Sequence, residues 1–172
     1  MNGMCKIATL GLPVLRQKAR SVDPRDIQDP SLQKLIDGMI ETMRKHGGVG
    51  IAAPQVSVSK RIFSVECRDS KRYAGVPDVP LYTVINPRVR ILDRSPAVLL
   101  EGCLSVPDLR GPVPRAKKLL LTGLDRRGKP LSIVARGFHA RIIQHEFDHL
   151  EGKIFLDRMK GMRELSYLEH LR

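Results

Sequence analysis

Residues 137 to 150 read GFHARIIQHEFDHL, and the periodicity of this stretch decides how the chain folds. At about 100° per residue, Phe138, Ile142, His145 and His149 fall on one narrow stripe, and Ile143, Phe147 and Leu150 form a second, apolar one. Arg141, Gln144, Asp148 and Glu151 share the remaining polar face. The spacing predicts a helix from about Gly137 to Leu150, buried on two sides, with its histidines pointing inward. His145 and His149 stand four apart with Glu146 between them. This H-E-x-x-H spacing lets one helix offer two imidazoles to a metal ion and a carboxylate to a nearby water. One inward histidine is commonly a satisfied core residue, but two on one stripe, each needing partners in a buried place, point to a metal.

Outward from this helix, the pattern predicts a second one over DPSLQKLIDGMIETMRKHGG, residues 29 to 48. Leu32, Leu35, Ile36, Met39, Ile40 and Met43 recur at helical spacing, Asp29 or Ser31 can cap the start, and Gly47-Gly48 stops the run. Its Met-containing stripe reads as packing, so no chemistry is assigned to it. Short runs with strand character follow: RIFSVEC (61–67), LYTVINP (81–87) and RVRILD (88–93), with a Gly/Pro/Asp-rich loop around 74–80. KKLLLTGLD and PLSIVARG flank DRRGKP as a hairpin, and GMRELSYLEHLR is expected to form a last helix with Leu165, Leu168 and Leu171 on one side. Helices before, between and after short strands indicate an α+β fold.

A chain of 172 residues, 42% hydrophobic, suits one domain with a proper core, taken as residues 1–172. Cys5, Cys67 and Cys103 are odd in number and far apart, unlike a secreted disulfide framework, and favour a reducing cytosol. The stretch MNGMCKIATLGLPVLRQKAR has no apolar run of signal-peptide length, and its LGLPVLR part reads as the start of the folded domain rather than as an organellar presequence. No run of apolar residues is long enough to span a membrane. The net charge of +12 favours a polyanionic neighbour such as nucleic acid or a ribosome surface, or an acidic substrate. Lys and Arg are nevertheless spread along the whole chain, aromatics make up 4%, and no zinc-finger or RNP-type motif is present, which argues against a sequence-specific nucleic-acid reader.

A catalytic metal site needs a third protein ligand. One protease version, H-E-x-x-H-x-x-G-x-x-H, matches as far as Gly152 but has Phe155 where the last histidine belongs. Another takes a glutamate some twenty residues downstream, near Glu169, where a ligand on the last turn of the chain would be poorly held. The upstream candidate is Cys103 in LEGCLSVPDLRGPVPR, residues 100 to 115. A thiolate binds divalent metals strongly, and Gly102 before it with Ser105 and Pro107 after it describe a tight turn suited to holding a ligand. Cys5 and Cys67 read as small buried hydrophobes.

Three segments together, GVGIAAPQ (48–55), EGCLSVP (101–107) and QHEFDHLEG (144–152), resemble in order and separation the three signature motifs of the peptide deformylases. The likeness runs from LPVLR (12–16) to FLDRM (155–159). It implies a single α+β domain with antiparallel strands packed around the central motif helix, and a metal-dependent hydrolase that removes the formyl group from N-formyl-methionyl nascent peptides, releasing formate. By the resemblance Cys103, His145 and His149 hold one divalent ion, Fe(II) in cells with Ni, Co or Zn as substitutes, although spacing alone would suggest zinc. Glu146 moves the proton, and the Gln55 side chain with the backbone N–H of Leu104 stabilises the oxyanion. Val49, Gly50, Gly102, Phe138, Arg141 and Ile142 match substrate-binding positions, Phe138 and Ile142 lining the methionine pocket opposite Val49. Glu101 and Arg115 match a pair expected to form a buried bridge behind the cysteine loop. Arg141, expected at the pocket rim, departs from the commoner aliphatic residue and resembles the mitochondrial-type branch. A bacterial-type cytoplasmic enzyme is expected, and because such a substrate emerges from a ribosome, the basic surface or the basic tail Lys160–Arg172 is expected to help docking there. The competing readings are a small metalloprotease using Glu169 and a basic ribosome- or RNA-binding protein with a structural metal.

Overall fold

The computed structural model describes residues 4–68 and 76–171. In chain order its elements are α1 (Pro30–Lys45), β1 (Gly50–Ala52), β2 (Ile62–Cys67), β3 (Val79–Cys103), β4 (Val106–Leu124), β5 (Pro130–Arg136), α2 (Gly137–Leu150) and β6 (Ser166–Tyr167), joined by turns and short 3-10 segments. Every strand pair is antiparallel, in the order β1-β2-β3-β4-β5, with β6 added to β4. Two helices against one antiparallel sheet form the expected α+β fold.

Helix α1 forms where the periodicity places it. Of the two candidate caps it uses Asp29, whose carboxylate accepts the Ser31 N–H at 2.7 Å. Its buried stripe, Leu32, Ile36, Met39, Ile40 and Met43, closes on Ile51, Ile62 and Ile85 of the sheet. The expected hairpin is also present: Asp125 accepts from the Arg127 and Lys129 N–H groups, each at 2.8 Å, and Gly128 takes a positive φ of 79° in the turn between β4 and β5.

The two runs expected at 81–87 and 88–93 belong to one long strand, β3. Its pairing with β4 shifts register between Ile85 and Arg88. Asn86 absorbs the irregularity with a φ of 52°, while its amide accepts from Val22 N–H at 2.9 Å and donates to Val22 C=O at 2.8 Å. The bulge bends the strand where Asn-Pro looked like an end, and further shifts at Asp93 and Cys103 let β3 curve around α2. The loop expected around 74–80 lies partly outside the described residues, and Val79 already belongs to β3.

The tail departs from expectation. GMRELSYLEHLR forms no α-helix: Ser166–Tyr167 is a strand against Leu109 and Arg110, followed by a 3-10 turn at Leu168–His170. Leucines spaced three apart fit a helix, but the edge of β4 beyond the end of β5 is left unpaired unless another segment covers it, and β6 does so.

Helix α2 lies against one face of the sheet. Ala140, Ile143 and Leu150 pack on Phe63, Val65, Leu119, Leu121 and Ala135, and truncating fully buried Ile143 to Ala is expected to cost about 2–5 kcal/mol. The segment read as the domain's start is folded in: Leu15 is fully buried and Ala19 N–H donates to Leu150 C=O at 2.9 Å. One expectation for α2 is corrected. Its polar face is not solvated, because Arg141 and Asp148 are buried and Gln144 bonds both backbone groups of Ala116 at 3.0 and 2.9 Å. The curved β3–β4 pair wraps that third side of the helix and supplies partners for it.

Candidate metal centre

Three elements bring the chemistry together. Helix α2 presents His145 and His149 one turn apart, their rings 5.0 Å between centroids and inclined at 76°. Cys103 comes from the end of β3, where the chain turns through Leu104 and Ser105 and pairs Cys103 with Val106 at the start of β4. The ligand atoms of Cys103, His145 and His149 all lie within 4.8 Å of one another, and they form the group among the described residues that could hold a metal ion. His149 Nε2 is 3.3 Å from Cys103 Sγ. His145 Nδ1 is 3.0 Å from Glu101 Oε2, which leaves its Nε2 for the centre.

The donor set suits a divalent ion: one soft thiolate, two imidazoles and, among the described residues, no fourth protein ligand. Burial alone would raise the Cys103 thiol, but the imidazoles of His149 and His145 outweigh it and hold the thiol well below its usual range, favouring thiolate. Glu146 Oε2 and His149 Nδ1 are buried polar atoms without a partner. Glu146 stands beside the ligand group, where a further group completes its bonding, whereas His149 meets Cys103 through Nε2 and its Nδ1 lies on the other side of the ring. Burial pushes the Glu146 carboxyl up to about 7, against the opposing pull of His145 and His149, so it exchanges a proton near neutrality.

Gln55 enters from a 3-10 turn, Ala53–Val56, that follows β1. Its Oε1 accepts the Ala52 N–H at 2.8 Å, which turns Nε2 toward the centre, 3.3 Å from Cys103 Sγ. Two glycines permit the close packing. A Cβ on Gly50 would lie 2.4 Å from Glu146 Oε1, and one on Gly102 would lie 2.1 Å from a terminal nitrogen of Arg110, so a side chain at either position would displace that carboxylate or guanidinium.

Behind the centre stands a buried ionic network. Glu101 accepts from Arg115 Nε and Nη2, both at 2.9 Å, from Arg141 Nη1 at 2.6 Å and shares Oε2 with His145. The expected Glu101–Arg115 bridge is thus present. Arg115 continues to Asp148 at 2.5 Å, which also pairs with Arg158. Burial raises the Asp148 carboxyl, but Arg158 and Arg115 more than offset this and hold it below its usual range. Arg141 is not a free cation at a rim: besides Glu101 it donates to Val113 C=O at 2.9 Å and Ala97 C=O at 2.5 Å, tying α2 to both long strands.

A cleft of about 430 Å³ opens onto the group. Val49, Gly50, Gln55, Gly102, Cys103, Leu104, Phe138, Arg141, Ile142, His145 and Glu146 all line it, while His149 sits fully buried behind Cys103. Glu169 is exposed and does not line it. Sequence reasoning missed Leu100, Arg110 and Leu168 as cleft residues, and the Asp148–Arg158 extension of the network. Leu100 stood inside a quoted motif but carried no chemical signal, and nothing local places Arg110 over Gly102 or Leu168 at the cleft.

An antiparallel α+β domain whose cleft ends on a thiolate, two imidazoles and a proton-exchanging carboxylate defines the class: a metal-dependent hydrolase. Residues 4–164 match the family model of polypeptide deformylase. The chain belongs to that family, and it is a hydrolase that removes the N-formyl group from the formyl-methionine of new polypeptides. It is 39% identical over 167 residues to a peptide deformylase of Leptospira biflexa, covering 96% of this chain and 93% of that one. It is 41% identical over 165 residues to the chloroplastic/mitochondrial peptide deformylase 1A of Arabidopsis thaliana, covering 90% of this chain and 61% of that longer protein. Among solved structures, a Met-Ala-Ser-bound class I type b peptide deformylase of Acinetobacter baumannii superposes with a TM-score of 0.89 at 38% identity, covering 92% of this chain and 100% of that one. No helix among the described residues is long and apolar enough to cross a membrane.

Proposed function

We propose that residues 1–172 act as one catalytic domain in which Cys103, His145 and His149 hold a single divalent ion and Glu146, Gln55 and Leu104 carry out deformylation beside it. The observation that supports this most is the convergence of the three ligand atoms within 4.8 Å beside the unpartnered Glu146 carboxylate. The family resemblance favours Fe(II), with Ni, Co or Zn as substitutes, and one thiolate with two imidazoles accommodates each of them. The ion, when bound, supplies the Lewis acidity that makes water a nucleophile near neutral pH.

The remaining steps belong to the chain's own residues. Glu146, with its carboxyl near 7, takes the proton from the attacking water and delivers it to the leaving amine. Gln55 Nε2 is aimed at the centre by the Ala52 bond, and with the backbone N–H of Leu104, a lining residue next to Cys103, it is assigned to the oxygen on which negative charge develops. Phe138 and Ile142 receive the methionine side chain, with Val49 across the cleft. β1 is the edge strand of the sheet, so Gly50 offers backbone to an extended peptide, with Gly102 on the opposite wall. Arg141 closes the pocket with its charge engaged by Glu101.

Glu169 is exposed, outside the ligand group and not on the cleft lining, which speaks against a protease using it, and the open donor set speaks against a structural metal. A bacterial-type cytoplasmic location, with ribosome contact through the basic surface or the Lys160–Arg172 tail, fits the net charge of +12. An anaerobic assay of formate release from formyl-Met-Ala-Ser tests the reading. The metal-loaded parent is expected to turn over and Glu146→Ala to be nearly inactive; a metal-loaded parent that releases no formate would sink it.

A further inference from the structure

We infer that the C-terminal strand and turn form a wall of the substrate cleft, with Leu168 selecting apolar side chains at the residues that follow the methionine. The inference rests on the deformylase reading of the same cleft. It starts from how the tail is held. Leu165 packs into the cluster of Phe155, Ile154 and Val113 beneath the cysteine loop, which anchors the segment. Ser166 and Tyr167 then pair with Arg110 and Leu109, on the stretch of β4 that β5 does not reach. This register brings Leu168 level with Asp108 and onto the lining of the cleft that holds Cys103, His145 and Glu146.

An exposed leucine by itself means little. Leu168, 44% exposed, differs because a main-chain pairing fixes it in the catalytic cleft. The topology also says which part of the substrate it meets. Leu100 lines the cleft one residue from the Glu101 that is gripped by Arg141, the neighbour of Ile142 on α2. From there the wall runs across β3 to Gly102, over to Arg110 in β4, and along β4 to Asp108 and Pro107, ending at Leu168. A peptide with its first side chain against Phe138 and Ile142 and its formyl group at the ligand set therefore passes its second and third residues along this wall. Pro107 and Leu168 give that end apolar surface beside the Asp108 carboxylate, so apolar side chains gain from burial against these two residues.

The test uses the metal-loaded enzyme with three substrates: formyl-Met methylamide, formyl-Met-Leu-Leu amide and formyl-Met-Ser-Ser amide. Leu168→Ala is expected to raise KM for the Leu-Leu substrate about fivefold with kcat unchanged, as loss of uniform binding does. The methylamide and the Ser-Ser substrate are expected to change by less than about twofold. Leu168→Met should keep the parent's Leu-Leu KM, and Val134→Ala, exposed on β5 and outside the cleft lining, should leave all three substrates unchanged. Equal effects of Leu168→Ala on all three substrates, or none on the Leu-Leu substrate, would overturn the inference while the parent's turnover leaves the deformylase reading standing. A parent inactive on every substrate would overturn both.

Discussion

Helix α2 carries two polar clusters on different sides, and they are built on opposite principles. On one side Glu101, Arg115, Asp148, Arg141 and Arg158 form a network in which each buried charge meets an opposite one: Arg115 is 5% exposed and contacts two carboxylates, and Glu101 meets two guanidinium groups. On the other side Cys103, His149 and Glu146 are as deeply buried, yet Glu146 Oε2 and His149 Nδ1 have no partner. Burial costs are similar in kind, so the difference lies in satisfaction. A saturated cluster holds a shape; an unsaturated one is arranged for groups that the chain does not supply. His145 joins them, with Nδ1 on Glu101 and its other nitrogen at the centre.

The contrast can be broken at either end. Cys103→Ala is expected to have the largest effect, loss of bound metal and of formate release to background, with the fold retained; metal content and circular dichroism measure the two separately. Glu146→Gln should keep the metal while lowering kcat by about 10²–10⁴-fold, the usual worth of a positioned acid–base group. Arg115→Met attacks the saturated cluster, leaving Glu101 and Asp148 buried without their shared partner. Its expected cost is about 3–5 kcal/mol of stability, read from denaturant midpoints. If Arg115→Met removed the metal yet left stability untouched, the division of labour proposed for the two clusters would be wrong.

Two smaller effects sharpen the picture. The Asp148 carboxyl is depressed in the fold, so its contribution to stability is fully present above the unfolded value of about 4 and is lost as pH falls through the lower folded value. Acid titration of the melting temperature should therefore steepen below about pH 4, and Asp148→Asn should flatten that limb. Glu169→Ala, at an exposed side chain, should change neither metal content nor melting temperature.

Much of the fold was legible from local pattern. Both helices and the β4–β5 hairpin announce themselves through periodicity, caps and turn residues, as Asp29, Asp125 and Gly128 show. The tail departs from its local pattern because Leu165, Leu168 and Leu171 satisfy a helical spacing while the deciding influence, an uncovered stretch of β4, lies more than fifty residues away in the chain. Asn86-Pro87 was read as a strand end because a bulge and a stop share the same residue types. At the site, the candidates Cys103, His145, His149, Gln55, Gly50 and Gly102 stand in recognisable motifs and line up around one group of ligand atoms. The roles of Arg110, Leu168 and the Asp148–Arg158 pair come instead from what faces them.

The sequence by itself determined the helix that carries HEFDH, the inward stripe of its histidines, and the candidacy of Cys103, because helical spacing and ligand chemistry are properties of neighbouring residues. Only the tertiary structure decided that the polar face of that helix is buried, that Glu101 serves two arginines and a histidine at once, and that Leu168 of the tail lines the cleft. Those outcomes depend on long-range strand pairing, which sets the partner of each group without leaving a mark on the residues beside it.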